Sequence, residues 1–303
     1  MIRYTTIRNL RLLRFISRVF PLKHKLAFLI KDYLKDDTDL AIRYYKNWHV
    51  CTTVNKINRS TIEEVILAGT YSQPEVSLIK HLRNELPDNM VFIDIGGNIG
   101  TFMCQFVDKC DEVFVFEPIP RLNTVIKRSV DHNKSNKITV IEKAVGDKHS
   151  IVKMLDNNNS SVVSSGALGD VLDIPVTTLD DELAAIKKID FIKIDVEGYE
   201  VSVLNGARKI IEKHRPAILV EVHPMYLEQY GQQHADVIRF FEEHKYAISY
   251  YSFLEELRMP RWKRIFSRWW GNKGIKFSNK EEFLKDIYKQ PRLSSYHFYC
   301  ESA

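Results

Sequence analysis

Cysteine is scarce in this chain of 303 residues, which contains only Cys51, Cys104, Cys110 and Cys300. They form no C-x-x-C pair and no spacing typical of a zinc site, so we predict neither a disulfide framework nor a zinc centre. No segment approaches the roughly 20 consecutive apolar residues that a membrane-spanning helix needs, and the amino terminus lacks the uninterrupted apolar core of a signal peptide. We therefore expect a cytoplasmic protein with reduced thiols.

Acidic residues are absent from residues 1–31, which hold eight Lys and Arg residues, and glycine is absent from residues 1–60. We expect residues 1–60 to form a basic, helical amino-terminal extension. Leucine, isoleucine and phenylalanine are interleaved with the arginines, as in a basic amphipathic helix that lies on an anionic membrane surface. A helix that packs on the domain and solvates its basic face explains the same pattern, so both interpretations stay open.

A second segment without acids, residues 258–276, combines seven basic residues with four large aromatic residues. It lies within an insertion that we place at residues 254–293. This composition suits contact with a membrane interface, an anionic glycan or nucleic acid. A helix that packs its aromatic side chains on the domain explains it as well. Peripheral contact with the inner face of the membrane, through residues 1–31 and 258–276, is thus one of two interpretations.

Beyond residue 60, short apolar runs typical of strands alternate with helical patterns. This alternation predicts an α/β fold in residues 61–303, with a mostly parallel seven-stranded sheet and helices on both faces. Ligands of such sheets bind beyond the carboxyl ends of the strands. Helices are predicted at residues 76–86 and 235–243, and strands at 91–95, 113–116, 138–144, 191–194, 217–222, 246–252 and 296–300.

The first of these strands runs into a glycine loop, which is followed by a helix and then by a strand that ends in Glu117. Glycine lets the backbone approach a ligand, and a carboxylate at the next strand end can accept hydrogen bonds from both ribose hydroxyls of an adenosine-containing cofactor. The order of these elements therefore predicts a site for such a cofactor.

The spacing of the loop distinguishes between cofactors. It reads Gly96-x-Asn98-x-Gly100 behind Asp94, whereas dinucleotide enzymes use G-x-G-x-x-G. A pyrophosphate would meet an asparagine side chain here, with an anion close by. S-adenosylmethionine carries an ammonium and a sulfonium and no phosphate, so it suits this acidic strand end better. Methyl transfer is therefore favoured, and an NAD-dependent oxidoreductase is an alternative.

Five ionisable residues alternate along two strands: Lys193, Asp195 and Glu197 on the fourth, and Glu221 and His223 on the fifth. Buried charges are costly unless they are paired, and a Lys193–Glu221 ion pair would account for the deeper two. The other three are the catalytic candidates. His223 is favoured as the base that methyl transfer to oxygen needs, with Asp195 or Glu197 as the rival. Two acids near a lysine are a weak metal signature, so no metal is predicted.

Several motifs follow one another in a fixed order: Asp94-Ile-Gly-Gly-Asn-Ile-Gly100, Phe116-Glu-Pro-Ile-Pro120, Ala144-Val-Gly-Asp147, Thr178-Leu-Asp-Asp181, Ile192-Lys-Ile-Asp-Val-Glu-Gly-Tyr-Glu200, Leu204-Asn-Gly206 and Glu221-Val-His-Pro224. This series resembles the motifs of FkbM-type methyltransferases. The resemblance covers roughly residues 69–252 and leaves out residues 1–60 and 258–276. It implies a class I, Rossmann-like fold that uses S-adenosylmethionine to methylate hydroxyls of sugars, polyketides or surface glycans.

The resemblance also implies a set of cofactor-binding residues. Two lie in an entry segment that would close over the cofactor, four surround the methionine portion, Glu117 holds the ribose, three flank the adenine, and Pro118 and Asp195 complete the set. The full set is Tyr71, Glu75, Asp94, Gly96, Asn98, Gly100, Glu117, Pro118, Ala144, Val145, Asp147 and Asp195.

The function expected is O-methylation of a saccharide, a glycolipid or a related natural product. Methylation of nucleic acid is an alternative that would use residues 258–276 for phosphate contacts. Base methyltransferases, however, usually end the fourth strand with Asn or Asp followed by Pro-Pro-aromatic, whereas this chain has Asp195-Val-Glu-Gly. A cofactor-binding protein without catalysis is a further alternative.

Overall fold

The computed structural model describes residues 5–6, 35, 37–54, 62, 65, 76–155, 171–252, 275–289 and 295–302. Tyr71, Glu75 and nearly all of the two basic segments, 1–31 and 258–276, lie outside these ranges, so the predictions made for them stay predictions. Within the same ranges, no helix has both the length and the apolar character needed to cross a membrane.

Strands and helices alternate along most of the described chain. The strands are β1 (Thr5–Thr6), β2 (Asp39–Tyr45), β3 (Trp48–Thr53), β4 (Met90–Ile95), β5 (Cys110–Phe116), β6 (Ile138–Ile141), β7 (Ala144–Val145), β8 (Ser150–Leu155), β9 (Val171–Thr177), β10 (Phe191–Ile194), β11 (Ala217–Val222), β12 (Tyr246–Ser252), β13 (Ile275–Lys276) and β14 (Tyr296–Ser302). The helices are α1 (Val76–Glu85), α2 (Pro120–His132), α3 (Leu179–Glu182), α4 (Glu200–Asn205), α5 (Arg208–His214), α6 (Pro224–Leu227), α7 (His234–Glu243) and α8 (Lys280–Lys289).

The main sheet has the strand order β13-β12-β14-β11-β10-β4-β5-β6. Strands β6, β5, β4, β10 and β11 are parallel, and β14 runs antiparallel to both of its neighbours, β11 and β12. Without the two-residue edge strand β13, this is the seven-stranded sheet of the class I methyltransferase fold. The predicted fold class is therefore confirmed.

Each face of the sheet carries its own hydrophobic core, because successive strand residues point to opposite sides. On one face, Phe92 and Phe191 stack with ring centroids 5.0 Å apart, and Phe102 and Phe106 pack beside them at 5.2 Å from each other. Helices α1 and α2 cover this face, whereas α4, α5, α7 and α8 cover the other. The packing of helices on both faces of the sheet fixes the positions of the strand ends.

Residues 39–53 form an antiparallel hairpin, so the helical prediction for this part of residues 1–60 is wrong. Strands β2 and β3 pair around a turn at Lys46, whose φ is +46°. Leu40, Ile42 and Tyr44 alternate along β2 and are all buried. An alternating pattern with aromatic and β-branched residues favours a strand, and glycine is not needed where another residue takes up the left-handed turn.

The hairpin is bonded to helix α2 rather than appended to the domain. The Asn133 side chain donates to the His49 carbonyl at 2.7 Å and accepts from the His49 N–H at 2.9 Å. The Cys51 N–H donates to Ser129 Oγ at 2.8 Å. Helix α2 starts three residues after Glu117, so these bonds connect the amino-terminal hairpin to the region of the predicted cofactor site.

Two other predicted elements differ in extent. The strand predicted at 138–144 leaves the main sheet after Ile141, because its neighbour β5 ends at Phe116 and offers no further partner. Residues Ala144–Val145 pair instead in a second sheet of order β7-β9-β8. The helix expected after the glycine loop is replaced by 3-10 turns at Met103–Gln105 and Val107–Lys109. The other predicted helices and strands lie within a few residues of their predicted bounds.

Candidate active site

The glycine loop after β4 is pressed against the ends of two neighbouring strands. A Cβ atom at Gly96 would lie 1.8 Å from the backbone oxygen of Asp195, and one at Gly97 would lie 2.3 Å from Cγ1 of Val115. Gly96 also has a φ of +81°, which L side chains rarely adopt. The two glycines are therefore needed for the close packing of the loop, in addition to any approach by a ligand.

The backbone N–H groups of this loop are used within the protein. Those of Gly96 and Gly97 donate to the Phe116 carbonyl at 2.9 and 3.1 Å, and that of Gly100 donates to the Gly97 carbonyl at 2.8 Å. The Asn98 N–H donates to Glu117 Oε2 at 2.7 Å. These are the groups that would bind a pyrophosphate in a dinucleotide site, and here they already have acceptors.

Glu117 is held at the end of β5 by two backbone donors. Its Oε2 accepts from Asn98 and its Oε1 accepts from the Ile119 N–H at 2.9 Å. Only 5% of the residue is exposed, and burial raises the pKa of its carboxyl group to about 7. Each carboxylate oxygen has a second lone pair that can accept from a ligand hydroxyl. The two backbone donors thus fix the orientation of the side chain.

A pocket beside Glu117, which we call the first pocket, has about 830 Å³ of empty space, part of it open to solvent. The predicted cofactor residues that line it are Gly96, Asn98, Glu117, Pro118, Ala144, Val145 and Asp195. The structure thus brings together seven predicted residues from four strand ends and loops.

Val152 and Met154 of strand β8 complete the first pocket on its apolar side, together with Leu122. None of the three is among the predicted site residues. Exposed residues alternate with more buried ones along the first part of β8. The pairing of β8 with β9 could not be read from the sequence. An apolar wall of this kind suits a flat ring such as adenine.

Three predicted cofactor residues, Asp94, Gly100 and Asp147, do not line the first pocket. Asp94 is fully buried behind the loop, and burial raises its pKa to about 6. Its Oδ1 lies 3.6 Å from Lys193 Nζ. Asp94 therefore packs behind the loop, next to Lys193, and does not line the first pocket.

Lys193 pairs with Asp94 and Asp195, not with Glu221 as predicted. Its Nζ donates to Asp195 Oδ2 and to the Gly96 carbonyl, both at 3.1 Å. Lys193 is the register partner of Asp94 on β4, whereas Glu221 lies two residues beyond its register partner on β11. The register of three adjacent strands, which the sequence alone did not give, decides this pairing.

A second pocket lies on the other side of the loop, with about 1120 Å³ of empty space that is partly open to solvent. Four residues line both pockets: Gly96, Asn98, Asp195 and Glu197. We call these four residues the shared wall. The second pocket also contains Lys193, Glu221, His223, Tyr44 and His297. Tyr44 comes from hairpin strand β2 and His297 from β14, and neither was predicted as a site residue.

His223 is held by carboxylates on both ring nitrogens. Its Nδ1 lies 2.8 Å from Oε1 of Glu200, which is fully buried, and its Nε2 lies 3.6 Å from Glu221 and 3.9 Å from Asp195. Burial alone lowers the pKa of His223, but the hydrogen bond to Glu200 and the negative charges of Glu221 and Asp195 raise it to about 9. At neutral pH the ring carries a proton, which is not the form that a general base needs. This speaks against His223, the base favoured on sequence grounds.

Glu197 lies in the turn after β10 with a φ of +48°. The next residue, Gly198, packs so closely on Tyr226 that a Cβ there would lie 2.6 Å from the Tyr226 Cβ. Burial and the charge of Asp195 raise the pKa of Glu197 to about 7. Its Oε2 is buried without a hydrogen-bond partner among the described residues. A carboxyl group with these properties can take up and release a proton near neutral pH.

Known methyltransferases are similar in sequence to this chain over part of its length. Hexuronic acid methyltransferase AglP of Haloferax volcanii is 27% identical over 174 residues, which are 56% of this chain and 69% of AglP. Methyltransferase 1 of Beauveria bassiana is 26% identical over 155 residues, which are 40% of this chain and 59% of that protein.

Among solved structures, the FkbM methyltransferase of Methylobacillus flagellatus is similar over 81% of this chain, with 17% identity and a TM-score of 0.45. This chain spans about half of that protein, 55% of its length. The family model described as the methyltransferase FkbM domain matches residues 94–248, which contain both strand ends of the shared wall. The chain therefore belongs to the FkbM methyltransferase family.

Proposed function

We propose that this methyltransferase uses S-adenosylmethionine to methylate a hydroxyl group of a saccharide or glycolipid. The shared wall is the observation that carries the proposal. Gly96, Asn98, Asp195 and Glu197 line both the first pocket, which contains the ribose-binding geometry of Glu117, and the polar second pocket. A methyl group has to pass from donor to acceptor over a short distance, and two pockets with a common wall provide that arrangement.

The first pocket fits S-adenosylmethionine better than a dinucleotide. Glu117 offers oriented lone pairs for two ribose hydroxyls, and Val152 and Met154 offer an apolar wall to the adenine. The loop N–H groups that a pyrophosphate would require are occupied by protein acceptors. Asp195 and Glu197 place negative charge where a ligand with an ammonium and a sulfonium would lie. When bound there, S-adenosylmethionine supplies an electrophilic methyl group.

Glu197 acts as the general base in this account. Its carboxylate lies on the shared wall, and its buried Oε2 has no hydrogen-bond partner among the described residues. The hydroxyl proton of the acceptor would pass to Glu197 as the acceptor oxygen bonds to the methyl carbon and the carbon–sulfur bond of the donor breaks, which leaves S-adenosylhomocysteine. Asp195 is already paired with Lys193 through its Oδ2 and orients the neighbouring groups.

The second pocket supports a hydroxyl-rich acceptor. It is lined by carboxylates, imidazoles and an amide, namely Asp195, Glu221, His223, His297 and Gln105, which can donate to and accept from several hydroxyls. Tyr44 adds an aromatic side chain at the same pocket. The name of the relative AglP, a hexuronic acid methyltransferase, supports a sugar acceptor as well.

Methyl transfer to a panel of uronic acids and neutral saccharides, with radiolabelled S-adenosylmethionine as the donor, tests this proposal. We expect incorporation into at least one saccharide. The variant Glu197→Gln should lower kcat by about 10²–10⁴-fold, the usual contribution of a general base. Its affinity for S-adenosylmethionine should change by only a few-fold.

Glu228→Gln is the matched control, because Glu228 is exposed and lines neither pocket. It should keep wild-type kcat. A Glu197→Gln variant with wild-type kcat would remove Glu197 from the role of base. Transfer to nucleic acid but to no saccharide would overturn the acceptor class.

A further inference from the structure

Three side chains at the back of the second pocket converge on one point. Asp195, Glu221 and His223 each present one atom suited to bind a metal ion, and these atoms all lie within 4.8 Å of one another. His223 Nε2 is 3.6 Å from Glu221 Oε1 and 3.9 Å from Asp195 Oδ1. Both distances exceed a hydrogen bond. Ligands at about 2.1 Å from an octahedral ion lie about 3 Å apart, so small side-chain movements bring all three to one ion.

The other oxygen of each carboxylate already has a partner. Asp195 Oδ2 accepts from Lys193 Nζ at 3.1 Å, and Glu221 Oε2 lies 3.5 Å from His297 Nε2. The remaining oxygens, Oδ1 of Asp195 and Oε1 of Glu221, are the ones that face His223. The two pairings therefore orient one oxygen of each carboxylate towards the same point.

The imidazole of His223 is oriented in the same direction. It is only 7% exposed, and its Nδ1 is 2.8 Å from the fully buried Glu200. Glu200 is in turn fixed by the Gly198 N–H, which donates to its Oε1 at 3.0 Å. Histidines that bind metals usually donate their second ring N–H to a carboxylate, which sets the tautomer and directs the free nitrogen to the ion. Glu200 has the position of such a partner.

We propose that Asp195, Glu221 and His223 form a site for a hard divalent cation, Mg²⁺ or Mn²⁺. The two carboxylate oxygens suit such an ion, whereas an imidazole nitrogen suits first-row transition metals, so this donor set favours Mn²⁺ over Mg²⁺. Binding displaces the proton that Nε2 carries at neutral pH, as metal binding to histidine does generally.

Three protein ligands leave coordination positions open to the second pocket. The role of the ion rests on the proposed function: those open positions take two neighbouring oxygens of the acceptor, orient its hydroxyl and favour loss of the hydroxyl proton.

The purified full chain is dialysed against EDTA and then titrated with MnCl₂, and electron paramagnetic resonance measures the free Mn²⁺. This titration tests the site without an acceptor. We expect one bound Mn²⁺ per chain. Glu221→Gln should weaken binding at least tenfold, and Glu200→Gln should weaken it by about 10–100-fold through the orientation of His223. Asp111→Asn, which changes an exposed acid at the opposite end of β5, should bind like the wild type.

Calorimetry with S-adenosylmethionine on the same preparations separates this inference from the proposed function. Glu221 lines only the second pocket, so Glu221→Gln should keep its cofactor affinity, which also shows that it is folded. A wild-type protein that binds the cofactor but no Mn²⁺ at millimolar concentration would overturn the cation site, as would equal Mn²⁺ binding by wild type and Glu221→Gln. The wild type could instead bind Mn²⁺ but not S-adenosylmethionine, with the Mn²⁺ binding lost in Glu221→Gln. That result would contradict the proposed function but support the cation site.

Discussion

At the scale of single residues, the glycine loop depends on contacts that leave no room for a side chain. Gly96 and Gly231 both have positive φ angles, +81° and +67°, but only Gly96 is crowded: nothing lies within 4 Å of a Cβ at Gly231. A substitution at Gly231 therefore meets backbone strain alone, whereas one at Gly96 meets backbone strain and steric overlap. They show that the glycine pattern in the sequence has a packing cause.

We predict that Gly96→Ala lowers the free energy of unfolding by more than about 4 kcal/mol, because the new Cβ overlaps the Asp195 carbonyl and the loop has to move. Gly231→Ala should cost only about 1–2 kcal/mol, the cost of a left-handed conformation. Urea unfolding of both variants measures the difference. Equal losses would show that conformation, and not crowding, makes Gly96 necessary.

The raised pKa of Glu117 predicts a pH dependence of stability. The folded protein holds the Glu117 proton up to about pH 7, whereas the unfolded chain releases it near the ordinary value of 4.5. The free energy of unfolding should therefore fall as the pH rises from about 4.5 to 7, by at most about 3 kcal/mol from this residue. The hydrogen bonds from the Ile119 and Asn98 N–H groups and the charges of Lys193 and Arg121 already limit this rise in the pKa of Glu117.

Glu117→Gln removes this titration and keeps the shape of the side chain. Urea unfolding of wild type and variant between pH 4 and 8 should give curves that diverge, with the wild type losing stability relative to the variant as the pH rises. Parallel curves would contradict the raised pKa.

At the scale of secondary structure, the amino-terminal hairpin is part of the catalytic domain. Asn133 bonds both backbone groups of His49, and Tyr44 of the same hairpin lines the second pocket. We predict that Asn133→Ala lowers the free energy of unfolding by about 1–3 kcal/mol, because it leaves two backbone groups without partners.

Hydrogen exchange should locate the loss in the hairpin. Amides of residues 39–53 should exchange faster in Asn133→Ala, whereas Asn136→Ala, a change of an exposed asparagine three residues away, should leave both stability and exchange nearly unchanged. Unchanged exchange in Asn133→Ala would mean that other contacts hold the hairpin.

The elements that could be predicted are those with a local signal. The parallel strands were visible as apolar runs, and β10 and β11 were visible with their charged residues at the exits. The hairpin was missed because a high content of basic residues and the absence of glycine were given more weight than the alternation of Leu40, Ile42 and Tyr44. Strands β8 and β9 were missed because their pairing connects distant residues.

At the scale of the whole molecule, the first pocket was largely predictable and the second was not. Motif order located Gly96, Asn98, Glu117 and Ala144, which all lie within three residues of the end of a strand of the main sheet. The second pocket depends on strand register, which brings His297 beside Glu221 and separates Glu221 from Lys193. It also depends on the hairpin, which supplies Tyr44 from outside the residues matched by the family model.

The central claim is that the first pocket binds S-adenosylmethionine through Glu117. Calorimetric titration of the purified protein with S-adenosylmethionine, S-adenosylhomocysteine and NAD tests it most directly, with Glu117→Ala and the exposed Glu228→Gln as paired variants. We expect the first two ligands to bind, NAD not to bind, and Glu117→Ala to lose at least tenfold in affinity while Glu228→Gln does not. Binding of NAD alone, or full affinity for S-adenosylmethionine in Glu117→Ala, would contradict the account.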